Sequence, residues 1–158
     1  MRRVLLVLVA AAAVGASLFT LAPATSAEKG TGDVKLAGSG VLRAGGTGFV
    51  HLRGAMDFRG SADAGALVVH DYAGGALVDV QGYGQRIELP DGGVAYLGFH
   101  GTAHIRGWDV QVDMLVAGVQ FRAAGKGVAY LAGRGWYSVN GFPPQPWTES
   151  GVNVAVES

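Results

Sequence analysis

The sequence predicts an all-β fold: a single-domain antiparallel β-meander of roughly ten to thirteen strands, closed as a barrel or folded as a sandwich. Three observations predict it. Glycine fills 27 of 158 positions and recurs as Gly-x-Gly or Gly-Gly. Between the glycines stand short Val- and Leu-rich runs, such as "FVHLR", "RIEL" and "WDVQVDMLV", that alternate apolar with polar, as strands with one buried face do. Beyond the first residues, no stretch keeps helical spacing over ten residues. A parallel β-solenoid is the alternative reading of the same pattern.

The chain opens "MRRVLLVLVAAAAVGASLFTLAPATSA". Two arginines, an apolar run and a small-residue end are the layout of a secretory signal peptide, with cleavage after Ala27; a retained membrane anchor is the alternative. Residues 28–32 read as a leader, 33–141 as the glycine-rich β domain, and 142–158 as a proline-rich tail. Within the tail "FPPQPW" is extended and "GVNVAVES" suits one last strand. The two arginines of 1–27 are its only charges, so residues 28–158 carry ten basic and twelve acidic groups, net −2. That balance offers no electrostatic case for nucleic acid. With no cysteine, disulfides and thiol chemistry are excluded, and an exported domain must be held by its core.

Reading glycines as turns gives a register for each hairpin. Leu36 faces Leu42 around "GSG", and Ala44 faces Val50 around "GTG". Leu89 faces Val94 across Pro90–Gly93, and Tyr96 faces Ala103 around "GFHG". Val116 faces Val119 across Ala117-Gly118, which sets Asp113 beside Arg122. Ala123 faces Val128, and Tyr130 faces Tyr137 around "AGRG". Val110, Val112, Met114, Phe121, Tyr130 and Val139 then point inward. Outward, His51 meets Asp57 and His104 meets Asp109, whereas Lys35 against Arg43 and Asp79 against Glu88 are like-charge pairs.

The segment "VAYLGFHGTAHIRG" (94–107) returns as "VAYLAGRGWYSVNG" (128–141), with a shorter cousin "FVHLRGAMDFRG" at 49–60. The expectation is a duplicated hairpin unit. Ala95, Leu97, Ala129 and Leu131 make the second face of these strands apolar too, so that face should be covered.

Candidate chemistry is sparse. His100 and His104 in "HGTAH", with Asp109 and Asp113 on the following strand, could hold a divalent metal on one outer face. Asp79 and Glu88 could share a proton and do acid–base work, with Arg86 close enough to neutralise them. Ser39 in "GSG" reads as a turn residue and not as a hydrolase nucleophile. The Gly-x-Gly pieces lack the helix a nucleotide site needs. Phe49, Phe99, Trp136, Phe142 and Trp147 are the outward or terminal aromatics on which a sugar could stack.

The Gly-x-Gly strand pattern from about 32 to 141 resembles exported, glycine-rich all-β bacterial proteins of uncharacterised function, and more loosely the repetitive strands of bactofilins and adhesin heads. The resemblance implies a β-rich envelope protein and carries over no functional residue. The expectation is a non-enzymatic exported protein, periplasmic, cell-wall-associated or secreted, with a structural or interaction role. Its partners would be further copies of itself or cell-envelope components, with no cofactor, no nucleic acid, and membrane association only through an uncleaved signal segment. A small-ligand or carbohydrate-binding barrel is the alternative, and a metal-dependent enzyme a weaker one.

Overall fold

The computed structural model describes residues 40–157. The signal and leader segments, Ser39, and the pairings Lys35–Arg43 and Leu36–Leu42 lie outside the described residues. What is described is all strand and loop, without helix. In order the strands are β1 (Gly40–Ser61), β2 (Ala64–Asp71), β3 (Leu77–Gln81), β4 (Gln85–Glu88), β5 (Val94–Leu97), β6 (Thr102–Val139), β7 (Gln145–Trp147) and β8 (Val152–Val156). Every pairing is antiparallel, which excludes the parallel solenoid. One sheet runs β1-β6-β2-β5-β4, with β3, β7 and β8 each added to β6. Its hydrogen-bonded order does not close into a ring.

Two very long strands replace the many short hairpins expected. β1 has 22 residues and β6 has 38. At about 3.3 Å per residue they would extend roughly 70 and 125 Å if straight. A domain of this size has a radius of gyration of only about 13 Å, so both strands must bend hard. Residues 102–125 of β6 follow one edge of β1, and residues 120–139 follow the other. Residues 120–125 consequently border both ends of β1: Arg122 is opposite Arg43 on one side and Arg59 on the other.

Glycine is what lets the strands bend. β1 keeps strict alternation along its length, with Leu42, Ala44, Val50, Leu52, Met56 and Phe58 buried on one face. The inward places where it curves are glycines 46, 48, 54 and 60. Gly48 takes φ of 147° and stands opposite Gly133, at 140°. Side chains at such a pair would point into the partner backbone. At Ala117-Gly118 two residues of β6 oppose the single Thr47 of β1, a bulge that switches which parity faces inward. The Gly118 N–H donates to Thr47 Oγ1 at 3.1 Å.

The expected hairpins around 45–48, 98–101, 117–118, 124–127 and 132–135 are therefore not formed; except at 98–101, which is a loop, the chain runs straight through as strand. The hairpin at Pro90–Gly93 is formed, one residue out of the expected register, with Glu88 opposite Val94. Val110, Val112, Met114 and Phe121 are buried as expected. Tyr130 instead points outward onto Phe49, ring centroids 6.4 Å apart, and Val139 only lines the core edge. The two Val-Ala-Tyr-Leu copies face opposite ways. In β5 Tyr96 joins the core, while Ala95 on its other face is also buried, as expected, and Leu97 is half-buried; in β6 Ala129 and Leu131 join the core. Nor do their continuations match: the first copy breaks into the 98–101 loop, and the second continues as strand.

The inward faces form one apolar cluster, with Phe58, Phe99, Leu42, Ile105 and Leu67 at its centre. The tail closes one side of it. β7 and β8 pair with β6, so that Trp147, Val154 and Val156 are buried. Phe99, expected outside, is also in the core.

The pairing has a direct test. Cysteines at His51 and Asp113, which are cross-strand partners, should oxidise readily to a disulfide, because such partners lie about 4.5–5.5 Å apart. Cysteines at Asp113 and Arg122, nine positions apart on one strand, should not. Non-reducing peptide mapping distinguishes the two, and the opposite result would restore the hairpin at 117–118.

Candidate anion-binding groove

The bent pairing assembles, on the outer face, residues far apart in sequence. Across six neighbouring strand segments the row reads Ser138, Arg43, Arg122, Arg59, His104 and Asp79. Two positions along the strands a second row reads Trp136, Gly45, Gln120, Ser61, Thr102 and Gln81. Eight of these places arise because each alternates with a buried neighbour, such as Leu42, Phe58, Phe121 or Ile105; Ser138, Trp136, Asp79 and Gln81, on the outermost segments, lie beside half-buried or exposed residues. A shallow groove of about 580 Å³ runs along both rows, lined by all three arginines, His104, Asp79, Gln120, Ser61, Thr102 and Trp136.

Three arginines directly opposite one another on adjacent strands repel, and like charges so placed cost stability. Arg59 Nε reaches Asp57 Oδ1 at 3.4 Å. Arg43 and Arg122 make no ion pair or hydrogen bond among the described residues. His104 Nε2 is 3.1 Å from the same Asp57 Oδ1, so one carboxylate serves both neighbours. Gly45 leaves a gap over which two side chains lean: a Cβ there would be 2.8 Å from Gln120 Oε1 and 2.9 Å from Trp136 Nε1. Guanidinium, amide, hydroxyl and indole N–H donors thus converge on one open groove, with unneutralised positive charge along one side.

A second polar cluster lies on the same sheet further along. His51 Nδ1 and Asp113 Oδ1 are 2.7 Å apart, and Gln111 Nε2 donates to Asp113 Oδ2 at 2.6 Å. Tyr72 donates its hydroxyl to Gln111 at 3.1 Å, stacks on His70 and lies under the Arg53 guanidinium. Burial raises the Tyr72 hydroxyl pKa, against the pull of Arg53. His70 is buried, and its Nε2 meets Asp91 Oδ2 at 3.0 Å. That hydrogen bond, with the Gly93 N–H, holds the Asp91 carboxyl below its ordinary range. This network is internally satisfied apart from His70 Nδ1, and it ties the 89–93 loop to the sheet.

The expected metal ligands are spread out. His100 sits in the 98–101 loop, its Nδ1 2.7 Å from the Gly98 carbonyl. His104 serves Asp57, Asp109 lies 3.6 Å from Arg53, and Asp113 belongs to His51. All but His100 are on one strand, and among the described residues no three His, Asp or Glu side chains come together as a metal site. Asp79 and Glu88 are not partners: Asp79 is opposite His104 on β6, and Glu88 takes the Arg86 guanidinium at 3.0 Å on β4.

The sequence places Trp136, His104, Arg43 and Arg122 on the outer surface, but pairs Arg122 with Asp113 and Arg43 with Lys35 and does not bring Arg43, Arg122 and Arg59 together. A signal was present: a bulky apolar residue, arginine, then alanine or glycine occurs as Leu42-Arg43-Ala44, Leu52-Arg53-Gly54, Phe58-Arg59-Gly60, Ile105-Arg106-Gly107 and Phe121-Arg122-Ala123. Each places arginine outward beside a buried anchor. The groove is read from this chain's own residues, because no family model, curated protein or solved structure matches it.

Proposed function

We propose that this chain is a non-enzymatic exported binding protein whose Arg43–Arg122–Arg59 groove takes an anionic ligand. The observation that carries the reading is the arginine row itself, in which Arg43 and Arg122 meet no carboxylate among the described residues and only Arg59 reaches one. Like charges opposed across three strands cost stability, and a bound anion would offset that cost. The groove offers no nucleophile poised beside a base, which favours binding over catalysis. We take the curled sheet as an incompletely closed barrel. Its interior is filled by Phe58, Phe99 and Leu42, so the site belongs on the outer wall and not in a barrel mouth. Export rests on the charged, apolar and small-residue layout of residues 1–27.

Inorganic sulfate is the simplest probe. Sulfate should shift the arginine side-chain NMR signals and raise the melting temperature of the full chain. Arg122→Gln should abolish both responses while stabilising the ligand-free protein by about 0.2–1 kcal/mol. Sulfate responses that survive in both Arg43→Gln and Arg122→Gln would sink the reading.

A further inference from the structure

We infer that the ligand is an acidic polysaccharide of uronate type, bound with its chain running across the strands. The inference rests on the anion-binding reading and adds the ligand's class and direction. The cationic row and the neutral row are parallel, and both lie at right angles to the strands. Successive arginines are set by the strand spacing, about 4.8 Å, which is close to the length of one sugar residue in an extended glycan. The neutral row runs about 7 Å to one side, two residues along each strand. A ligand satisfying both must be elongated, with an anionic group on nearly every unit and hydroxyls between them for Gln120, Ser61 and Thr102. A chain of 1,4-linked uronic acid residues is elongated and carries one carboxylate and two hydroxyls on every unit. Each carboxylate is planar and suits the two-pronged guanidinium fork. The ring hydroxyls both donate and accept, matching the amide and hydroxyl side chains. The apolar face of a terminal ring suits Trp136, half-exposed at one end of the neutral row.

The acidic end of the groove limits the charged run. Asp79 closes the row beyond His104. Its carboxylate can accept a sugar hydroxyl but repels any line of anions that continues past the arginines. A nucleic acid would want several stacking platforms, and the groove lining holds one tryptophan. Three arginines set the number of charged units engaged.

The test is calorimetric titration of the full chain with galacturonate mono-, di-, tri- and hexamers, neutral cellohexaose, a thymidine hexanucleotide and inorganic sulfate. Affinity should rise roughly tenfold with each uronate unit up to three and then level off. Cellohexaose should not bind measurably. Trp136→Ala should weaken the trimer severalfold and leave sulfate unchanged, and Arg122→Gln should weaken both. If sulfate binds but the trimer binds no better than the monomer, the glycan class is wrong and the anion site stands. Tighter binding of the hexanucleotide than of the hexauronate would assign the groove to nucleic acid and overturn the inference. No response to any probe, sulfate included, would remove both readings.

Discussion

Gly48→Ala is expected to destabilise the protein by at least about 3 kcal/mol, out of a total stability of roughly 5–15 kcal/mol for a domain of this kind. Two effects add. At φ of 147° the backbone is in a region that only glycine enters easily. An added Cβ would also run into the Ala132 carbonyl oxygen and crowd the Gly133 Cα. Both obstacles are backbone, which cannot swing aside as a long side chain can. Gly133 meets the same barrier from the other strand, where a Cβ would strike the Thr47 carbonyl. The control is Gly74→Ala. That glycine also has positive φ, at 75°, but nothing lies within 4 Å of its Cβ position, so only backbone strain of about 1–2 kcal/mol applies. Denaturant titration of both variants separates strain from steric closure. Equal losses at the two positions would mean that the strands do not pack as closely at Gly48–Gly133 as the bend requires.

Gly48 also explains what could and could not be read from the sequence. Alternation told correctly which residues of β1 and of 110–121 face inward. It did so because a tight turn and a glycine bend leave the same parity: Ala44 and Val50 face the core whether the chain reverses at Gly46–Gly48 or runs on. The choice between reversal and bend depends on which distant strand lies alongside, and local composition is silent on that. Where the chemistry was specific to a turn, the reading succeeded. Pro90-Asp91-Gly92-Gly93 does reverse the chain, with the Gly93 N–H donating to Asp91 Oδ1 at 3.1 Å. Charge complementarity was informative about residue type and misleading about partner. His51 and His104 were both expected to face aspartates and do, but the aspartates are Asp113 and Asp57, 62 and 47 residues away. The groove was hidden for the same reason. Arg43, Arg59 and Arg122 become neighbours only because residues 120–125 are clasped between the two ends of β1.

Leu131→Asp is expected to unfold the chain, and Leu97→Asp to leave it folded, although the two leucines end identical Val-Ala-Tyr-Leu segments. Leu131 is fully buried, opposite Val50 on one side and Val152 on the other, with Val154 nearby on β8. Removing its apolar side chain alone costs about 2–5 kcal/mol. A carboxylate there would find no cation and no hydrogen-bond donor set, adding a further desolvation cost of a few kcal/mol. The sum approaches the whole stability of the domain. Leu97 is half-buried on the outer face, between Ala66 and Gln85, where an added charge stays hydrated. The sign of the pH dependence provides a second readout. An apolar site raises the pKa of the introduced carboxyl in the folded state, so L131D should recover stability as pH falls towards the carboxylate range and lose it as pH rises. Circular dichroism with light scattering across that range checks the claim. A folded L131D chain that merely changed its mass would show that the Leu131 face is covered by a second copy and not by the chain's own β8.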